Sequence, residues 1–271
     1  RKGHKRGEIM NQKLREAVFS RGRVLNRKGL YGAFDTMMRY ITWIIAGVLI
    51  HLPLTGNQIT IISVLVNLAA AAAMIGGSLK WYLLGFALLI VGEFCDWVDG
   101  TIARYRGEVT KLQADFLGRL YHIATLGFLF AGIGIGVYRQ TGNGWYLALG
   151  FLTALFQQST IYILELKNSV LVNYGTEFLN KKAATKTSEI KTIKTSDIRK
   201  LFVDNERKKQ LLKYFSVPMD YLLIKIIILL FALVNKMEWL VVFYFWYTLI
   251  RLLLFTSASY LKLKQIEAGK K

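Results

Sequence analysis

The 271-residue sequence contains few of the residues that break helices, crosslink a chain or carry negative charge. It has two prolines, Pro53 and Pro218, and this scarcity favours long helices because proline interrupts a helix interior. Its single cysteine, Cys95, excludes an intramolecular disulfide and any metal site built from several cysteines. Acidic residues number 17 against 36 Lys and Arg, so the formal net charge is +19. The chain is therefore expected to be helical, free of internal disulfides and strongly basic.

Hydrophobic residues make up 54% of the sequence, and the mean hydropathy is +0.34. This composition excludes a disordered or collagen-like chain, which would be poorer in apolar residues. High apolarity and a large positive charge coexist readily when apolar residues lie in lipid and basic residues flank them. A membrane protein is therefore the class that the composition favours.

Long apolar stretches with few charges predict the helices that cross the bilayer, which needs about 20 such residues per span. Six stretches qualify: 57–78, 80–99, 115–138, 143–165, 217–235 and 238–259. We therefore predict an all-α integral membrane protein with six transmembrane helices. Segment 35–54 is interpreted as a preceding amphipathic helix at the cytoplasmic interface. It could instead be a seventh span, but an odd count would place one terminus outside, against the charge pattern.

The basic residues lie almost entirely on one side of this predicted topology. They concentrate in an N-terminal segment (1–34), a Lys-rich loop (166–213) and a C-terminal tail (263–271), which separate the spans into groups at 55–165 and 214–262. Because cytoplasmic loops carry excess Lys and Arg, both termini are predicted to be cytoplasmic. The charge could also indicate nucleic-acid binding, but no aromatic-interleaved basic motif or zinc-ligand spacing accompanies it. Anionic lipid headgroups are the simpler partner, and no nucleic acid is expected.

Acidic residues within a predicted span are candidates for function, because ionisable groups are expensive there. Asp96 and Asp99 are three residues apart, so a helix places both on one face. Glu93 lies one turn deeper on the same stripe. Gly100 follows directly and leaves the backbone open to a ligand.

The next predicted helix carries Asp115, Gly118 and His122 on one face. Two antiparallel helices would thus bring carboxylates towards each other near the cytoplasmic surface. Mg²⁺ binds through a few carboxylates together with substrate phosphates, so such a site suits a diphosphate substrate. Arg104 at its rim would hold a phosphate through two parallel hydrogen bonds. The alternative is a set of buried ion pairs, Asp99 with Arg104 or Asp115 with Arg119.

The run from Asp96 to Arg104, D-W-V-D-G-T-I-A-R, resembles the first half of the CDP-alcohol phosphotransferase signature, D-x2-D-G-x2-A-R-x8-G-x3-D-x3-D. The sequence T-G-N-Q-I-T at 55–60 is similar to T-P-N-x-I/V-T, which many members carry where the first span begins, with Gly56 in place of proline. The resemblance implies a six-span enzyme of phospholipid biosynthesis. It would transfer a substituted phosphoryl group, expected to be phosphatidyl, from a CDP-linked donor such as CDP-diacylglycerol to an alcohol acceptor, and release CMP.

The resemblance also implies roles for individual residues. Asp96 and Asp99 would help to bind divalent ions, expected to be two Mg²⁺ or Mn²⁺. Gly100, Ala103 and Arg104 would form the nucleotide pocket.

The second half of the signature departs from the family pattern. Without a gap, its Gly and last two Asp positions fall on Gln113, Leu117 and Tyr121; with one inserted residue they fall on Ala114, Gly118 and His122. We prefer the gapped alignment because it places polar residues on the inner face. In either alignment the third aspartate is missing from its expected place.

Three residues are candidates to replace the missing acids. Asp115 lies one turn before Gly118 and would reach the site as a metal ligand or a catalytic group. Glu93 would supply a further metal ligand. His122 would serve as general base, since imidazole titrates near neutrality.

Two other functions remain open from the residues. The protein could be a catalytically degenerate binding or scaffold protein on the same fold, because Gly118 replaces an acid. It could also be a small-solute transporter, although a carrier has no evident need for the D-x-x-D-G-x-x-A-R run. Small-residue runs at 68–77 and 131–136 favour close helix contacts, either internal or across a homodimer, and the resemblance favours the homodimer.

Overall fold

The computed structural model describes residues 12–19, 30–108, 111–184 and 221–268. These residues are almost entirely helical and include no strand. We number the helices α1 (12–19), α2 (Leu30–Leu49), α3 (Gly56–Met74), α4 (Leu79–Arg106), α5 (Lys111–Ile123), α6 (Leu129–Thr141), α7 (Gly144–Ala184), α8 (Tyr221–Leu233) and α9 (Met237–Ala268). The chain divides into two units, Arg1–Leu147 and Ala148–Lys271.

Five helices in the described ranges are long and apolar enough to cross a membrane. They are Gly56–Met74, Leu79–Arg106, Phe116–Thr141, Gly144–Lys167 and Met237–Leu261. Large apolar side chains such as Leu65, Leu155 and Leu253 are exposed on them, as lipid-facing residues would be. The prediction of an all-helical fold is confirmed, and its helices fit a multi-pass membrane protein. The predicted span 217–235 corresponds to α8, which has only 13 described residues because those before Tyr221 lie outside the described ranges.

Helix α4 continues beyond the predicted boundary at residue 99 and ends at Arg106. Gly107 stops it, since its left-handed backbone (φ 74°) is a conformation that glycine adopts at little cost. The N–H of Glu108 then donates to the carbonyl of Ala103 at 2.9 Å. The drop in hydropathy at Asp99 therefore did not mark the end of the helix. As a result, all nine residues from 96 to 104 lie on one continuous helix.

Helix also occurs in the segment that was predicted to be a loop and in the two terminal segments that were described only by their charge and location. Helix α7 continues to Ala184, so the predicted loop 166–213 is wrong over 166–184, whereas 185–213 lie outside the described residues. Helix α9 extends through 263–268 of the predicted tail. The basic N-terminal segment 1–34 includes α1 and the start of α2. A polar sequence without proline can continue a helix past the apolar zone, which hydropathy cannot indicate.

The small residues of α3 and α6 pack against each other within the first unit. A Cβ on Gly132 would lie 2.3 Å from the carbonyl oxygen of Ala71, and one on Gly136 would lie 2.2 Å from that of Met74. Both glycines are buried. The close helix contacts that each run was expected to make are therefore internal at these residues, which do not provide evidence for a homodimer.

This packing predicts the effect of adding one methyl group. Gly132→Ala should lower the free energy of unfolding by about 1–3 kcal/mol, because the new Cβ overlaps the backbone of α3. Gly118→Ala is the control, since no atom lies within 4 Å of its Cβ position. It should be neutral or stabilising by about 0.5–1 kcal/mol. Unfolding midpoints in detergent would test this pair, and equal midpoints would contradict the packing.

Between α5 and α6 the chain forms a π-helical turn, Ala124–Phe128, that the sequence did not predict. The predicted span 115–138 is thus a helix with an irregular turn inside it. Such turns shift the register of the residues on either side and occur frequently at functional sites. Thr125 within the turn is buried.

Helix α2 corresponds to the predicted interfacial segment 35–54, with its observed bounds at Leu30–Leu49. One of its faces, which includes Met38 and Ala46, is buried. The opposite face exposes Tyr40, Ile44 and Val48, all apolar or aromatic. Its amphipathic character is therefore not evident from the exposed side chains.

The cations of the predicted last two spans are buried in the second unit. Lys225 is fully buried, and Arg251 is 8% exposed. Arg251 Nη1 donates to Gln157 Oε1 at 2.7 Å, and the guanidinium lies 5.5 Å from the ring centre of Phe255. Both cations are therefore enclosed by protein groups and are not on the exposed surface of the second unit.

Candidate active site

The carboxylate of Asp99 is held by groups from two different helices. Its Oδ2 accepts a hydrogen bond from Thr60 Oγ1 of α3 at 2.5 Å. Its Oδ1 accepts one from the backbone N–H of Gly100. Thr60 is buried and also lies within hydrogen-bond distance of the carbonyl of Gly56, at 3.2 Å. The orientation of Asp99 is therefore fixed by the start of the preceding span, which is 39 residues earlier in the chain.

The segment Thr55–Thr60 packs directly on the run that contains the acids. Thr55 caps the N-terminus of α3 in a reciprocal capping box with Gln58. A Cβ on Gly56 would lie 2.7 Å from the Cβ of Ala103 and 2.8 Å from the carbonyl oxygen of Asp99. A larger residue at position 56 would thus separate the two helices. Sequence reasoning had recognised this segment but had assigned its residues no role in the site.

Gly100 and Arg104 lie next to each other one turn apart on α4. A Cβ on Gly100 would lie 3.2 Å from Arg104 Nη1, so a side chain there would press on the guanidinium. Arg104 Nη2 donates to Thr101 Oγ1 at 3.2 Å, and its Nε donates to the carbonyl of Ala17 in α1 at 2.9 Å. Two of the three predicted nucleotide residues are therefore together, whereas Ala103 packs against Gly56.

Glu93 lies deeper in α4 and is 7% exposed. Its Oε1 accepts a hydrogen bond from Trp97 Nε1 at 2.8 Å, and its Oε2 accepts one from the hydroxyl of Tyr121 at 3.3 Å. Tyr121 belongs to α5, so this carboxylate connects the two helices of the candidate site. Trp97 and Tyr121 were not predicted as site residues. Only the i, i+4 spacing of Glu93 and Trp97 could have indicated the first of them.

Two residues of α5 contact α3 and α4. Gln113 Oε1 accepts a hydrogen bond from Asn57 Nδ2 of α3 at 3.0 Å, and the buried Tyr121 reaches Glu93. The Cβ position of Gly118, in contrast, is open. Gln113 and Tyr121 are positions of the ungapped alignment. Since Gln113 is itself exposed and His122 is partly buried, the preference for the gapped alignment stays a prediction.

Of the two predicted catalytic residues of α5, the structure describes the side chain of His122 but not that of Asp115. His122 is partly buried, and its ring contacts that of Tyr121 edge-on, with 5.4 Å between the ring centres. Asp115 lies on the helical backbone of α5, but its side chain is outside the part that the structure describes. The approach of Asp115 to Asp96 and Asp99 therefore stays a prediction.

The donor set at the end of α4 suits a magnesium ion that is completed by substrate. Among the described side chains, no three His, Cys, Asp or Glu residues lie close enough to hold a metal by themselves. Mg²⁺ commonly uses only one or two carboxylates together with water and substrate phosphates. Asp96, which is partly exposed, and the oriented Asp99 supply such a pair. The residues present therefore fit the ion.

A multi-pass helical fold with an oriented carboxylate beside a glycine and an arginine agrees with the comparison to known families. The family model of CDP-alcohol phosphatidyltransferase matches residues 53–190, slightly more than half of the chain. The chain belongs to the CDP-alcohol phosphatidyltransferase family, as the resemblance predicted. A comparison with curated proteins finds no match. The matched region includes both motifs and helices α3 to α7, whereas α1, α2, α8 and α9 lie outside it.

Proposed function

We propose that this protein transfers a substituted phosphoryl group, phosphatidyl in the simplest case, from a CDP-linked donor to an acceptor alcohol and releases CMP in phospholipid biosynthesis. Family membership supports the reaction class. The observation that carries the proposal is the packing of the two motifs on each other. Thr60 of the first orients Asp99 of the second, beside Gly100 and Arg104.

Asp96, Asp99 and Asp115 are the residues that we propose to hold Mg²⁺ or Mn²⁺, expected as two ions. Bound there, the metal would offset the negative charge of the donor's diphosphate. Glu93 is a further ligand candidate. Since both of its oxygens accept hydrogen bonds inside the helix pair, it has a second candidate role, in which it holds α5 on α4.

Arg104 and Gly100 are proposed to bind the donor nucleotide. The missing Cβ of Gly100 leaves the guanidinium of Arg104 close to the α4 backbone. A planar guanidinium donates two parallel hydrogen bonds to a phosphate, which gives both affinity and orientation. Ala103 contributes by being small enough for Gly56 to approach.

The acceptor hydroxyl requires a general base, for which His122 and Asp115 are the candidates. The base takes the hydroxyl proton while the alcohol oxygen forms a bond to the phosphorus distal to cytidine. The bond from that phosphorus to the bridging oxygen breaks, and CMP leaves with the electron pair. A neutral imidazole is suited to this step because it accepts a proton near neutral pH.

The proposed topology retains six spans, with α8 as the fifth and α2 at the membrane interface. Excess Lys and Arg outside the spans supports cytoplasmic termini and a site on the cytoplasmic side, where a soluble nucleotide and a lipid would both arrive. The same cations would contact anionic headgroups. A homodimer is part of the proposal through family membership alone.

The proposal is tested by CMP release from the purified protein with CDP-diacylglycerol and a panel of alcohols, with and without Mg²⁺. Metal-dependent release with at least one alcohol is expected. Binding of a cytidine nucleotide without release for any acceptor would favour a degenerate binding protein, for which Gly118 in place of an acid is the specific evidence. Solute movement across liposomes without CMP formation would favour a transporter.

Thr60 should affect this reaction through Asp99. Thr60→Val removes the donor to Asp99 while it keeps the shape of the side chain, and we expect about a tenfold loss of kcat/KM, typical of a group that orients a metal ligand. Thr42→Val is the matched control, because Thr42 is also buried but bonds only the carbonyl of Met38 within its own helix. Steady-state CMP release at several Mg²⁺ concentrations measures both variants. Equal rates for the two would argue against an orienting role.

A further inference from the structure

Helix α1 packs on the first unit although it lies outside the region that matches the family. Leu14 is 3% exposed and belongs to a buried cluster with Ala46, Val98 and Ile102. Lys13 lies 5.1 Å from the ring centre of Tyr105, on the last turn of α4. The helix is therefore attached to α4 by both apolar and polar contacts.

The last described residues of α1 contact the motif arginine. Ala17 O accepts a hydrogen bond from Arg104 Nε at 2.9 Å, and Val18 O accepts one from Arg39 Nη1 at 2.7 Å. Two guanidinium groups thus bind backbone carbonyls of α1.

The bond to Ala17 restricts how Arg104 can move. A guanidinium is planar, so bonds from Nε to Ala17 and from Nη2 to Thr101 define its plane. Its Nη1 then lies at the Gly100 backbone, where a Cβ would contact it at 3.2 Å. Without α1, the arginine would keep its charge but lose the bond from Nε to Ala17 that helps to hold it in this orientation.

We propose that α1 is a positioning element that holds Arg104 in place for the diphosphate of the donor nucleotide. The inference rests on the proposed function for the identity of that nucleotide. It extends the site to a segment 87 residues earlier in the chain than Arg104. The effect is expected on nucleotide affinity more than on the chemical step, since Arg104 binds the donor in both the ground and transition states.

The test weakens the packing of α1, and with it the bond from Arg104 to Ala17, in the otherwise unchanged protein. Leu14→Asp should weaken the docking of α1, raise KM for the CDP-linked donor by about tenfold and leave kcat within about twofold, since uniform binding is lost. Arg15→Gln is the matched control, because it makes the same change of charge on the exposed face of α1 and should leave both constants unaltered. Leu14→Ala is a milder variant that keeps the test usable if the aspartate variant does not fold.

Two further measurements distinguish positioning from a structural role. In an Arg104→Lys background, Leu14→Asp should cause no additional rise in KM, because the bond that α1 makes to Nε is already gone. Calorimetric affinity for CDP, which needs no turnover, should fall by the same factor of about ten in the Leu14 variant. A lower kcat with unchanged KM, or equal effects in the wild-type and Arg104→Lys backgrounds, would overturn the proposal. If the wild type binds CDP but releases no CMP, the proposed reaction fails while the positioning of Arg104 is still tested by affinity.

Discussion

Asp99→Asn is expected to lower kcat for CMP release by about 1,000-fold, since electrostatic stabilisation by a bound metal is worth several kcal/mol. Asparagine keeps nearly the same shape and can still hydrogen-bond with Thr60 and the N–H of Gly100. The variant therefore removes the negative charge and retains the packing. Asp96→Asn should have a comparable effect, because it removes another of the proposed carboxylate ligands and the remaining site holds Mg²⁺ weakly.

The control and the metal dependence make this prediction specific. Glu108→Gln removes an acid that lies just beyond the end of α4 and is exposed, so its activity should stay within about twofold of the wild type. Higher Mg²⁺ should partly restore Asp96→Asn if that residue binds the metal. A fully active Asp99→Asn with an unchanged requirement for Mg²⁺ would exclude the proposed metal site.

The helices themselves could be predicted well, because apolar runs and turn residues are local signals. The breaks after α3, α6 and α8 contain Gly77, Gly142 and Asn235, each with positive φ. The predicted start of α4 was Lys80, one residue from the observed start at Leu79. The helix ends that were wrong lie where polar sequence continues a helix, at 100–106, 166–184 and 260–268.

The contacts that form the candidate site could not be predicted, because they depend on how whole helices are placed. Thr60 and Asp99 belong to different helices, and nothing local indicates that one orients the other. The alignment of α5 is the clearest example. A shift of one residue rotates the inner face by roughly 100°, since a helix has 3.6 residues per turn. Neither alignment indicated that Tyr121 would lie against Glu93, where the structure places it.

The N-terminal segment shows the same limit. Its basic residues predicted only a cytoplasmic location, which is a statement about charge. Docking of α1 depends on Leu14 fitting a cluster from three other helices and on backbone carbonyl groups of α1. Since each residue contributes the same backbone carbonyl, the sequence contains no signal for the bond between Ala17 and Arg104.

The role of Glu93 can be decided by two substitutions with opposite consequences. Glu93→Leu should lower kcat by about 100-fold, because it leaves the N–H of Trp97 and the hydroxyl of Tyr121 without this acceptor, at about 1–3 kcal/mol for each buried group, and loosens α5. Glu93→Gln keeps an amide oxygen for Trp97 and an amide N–H for the oxygen of Tyr121. If Glu93 holds the two helices together, the glutamine variant should retain activity within about tenfold of the wild type.

A metal ligand would behave differently, which makes the comparison decisive. If Glu93 binds Mg²⁺, Glu93→Gln should resemble Asp99→Asn and raise the Mg²⁺ concentration needed for half-maximal rate, because an amide is a far weaker ligand for a hard cation. A double-mutant cycle that combines Glu93→Leu with Tyr121→Phe adds a second measure. In the holding role, the two substitutions should affect unfolding in a non-additive way, since both remove one hydrogen bond between α4 and α5. Additive effects of the two substitutions on unfolding, together with an altered Mg²⁺ requirement, would indicate that Glu93 is a metal ligand.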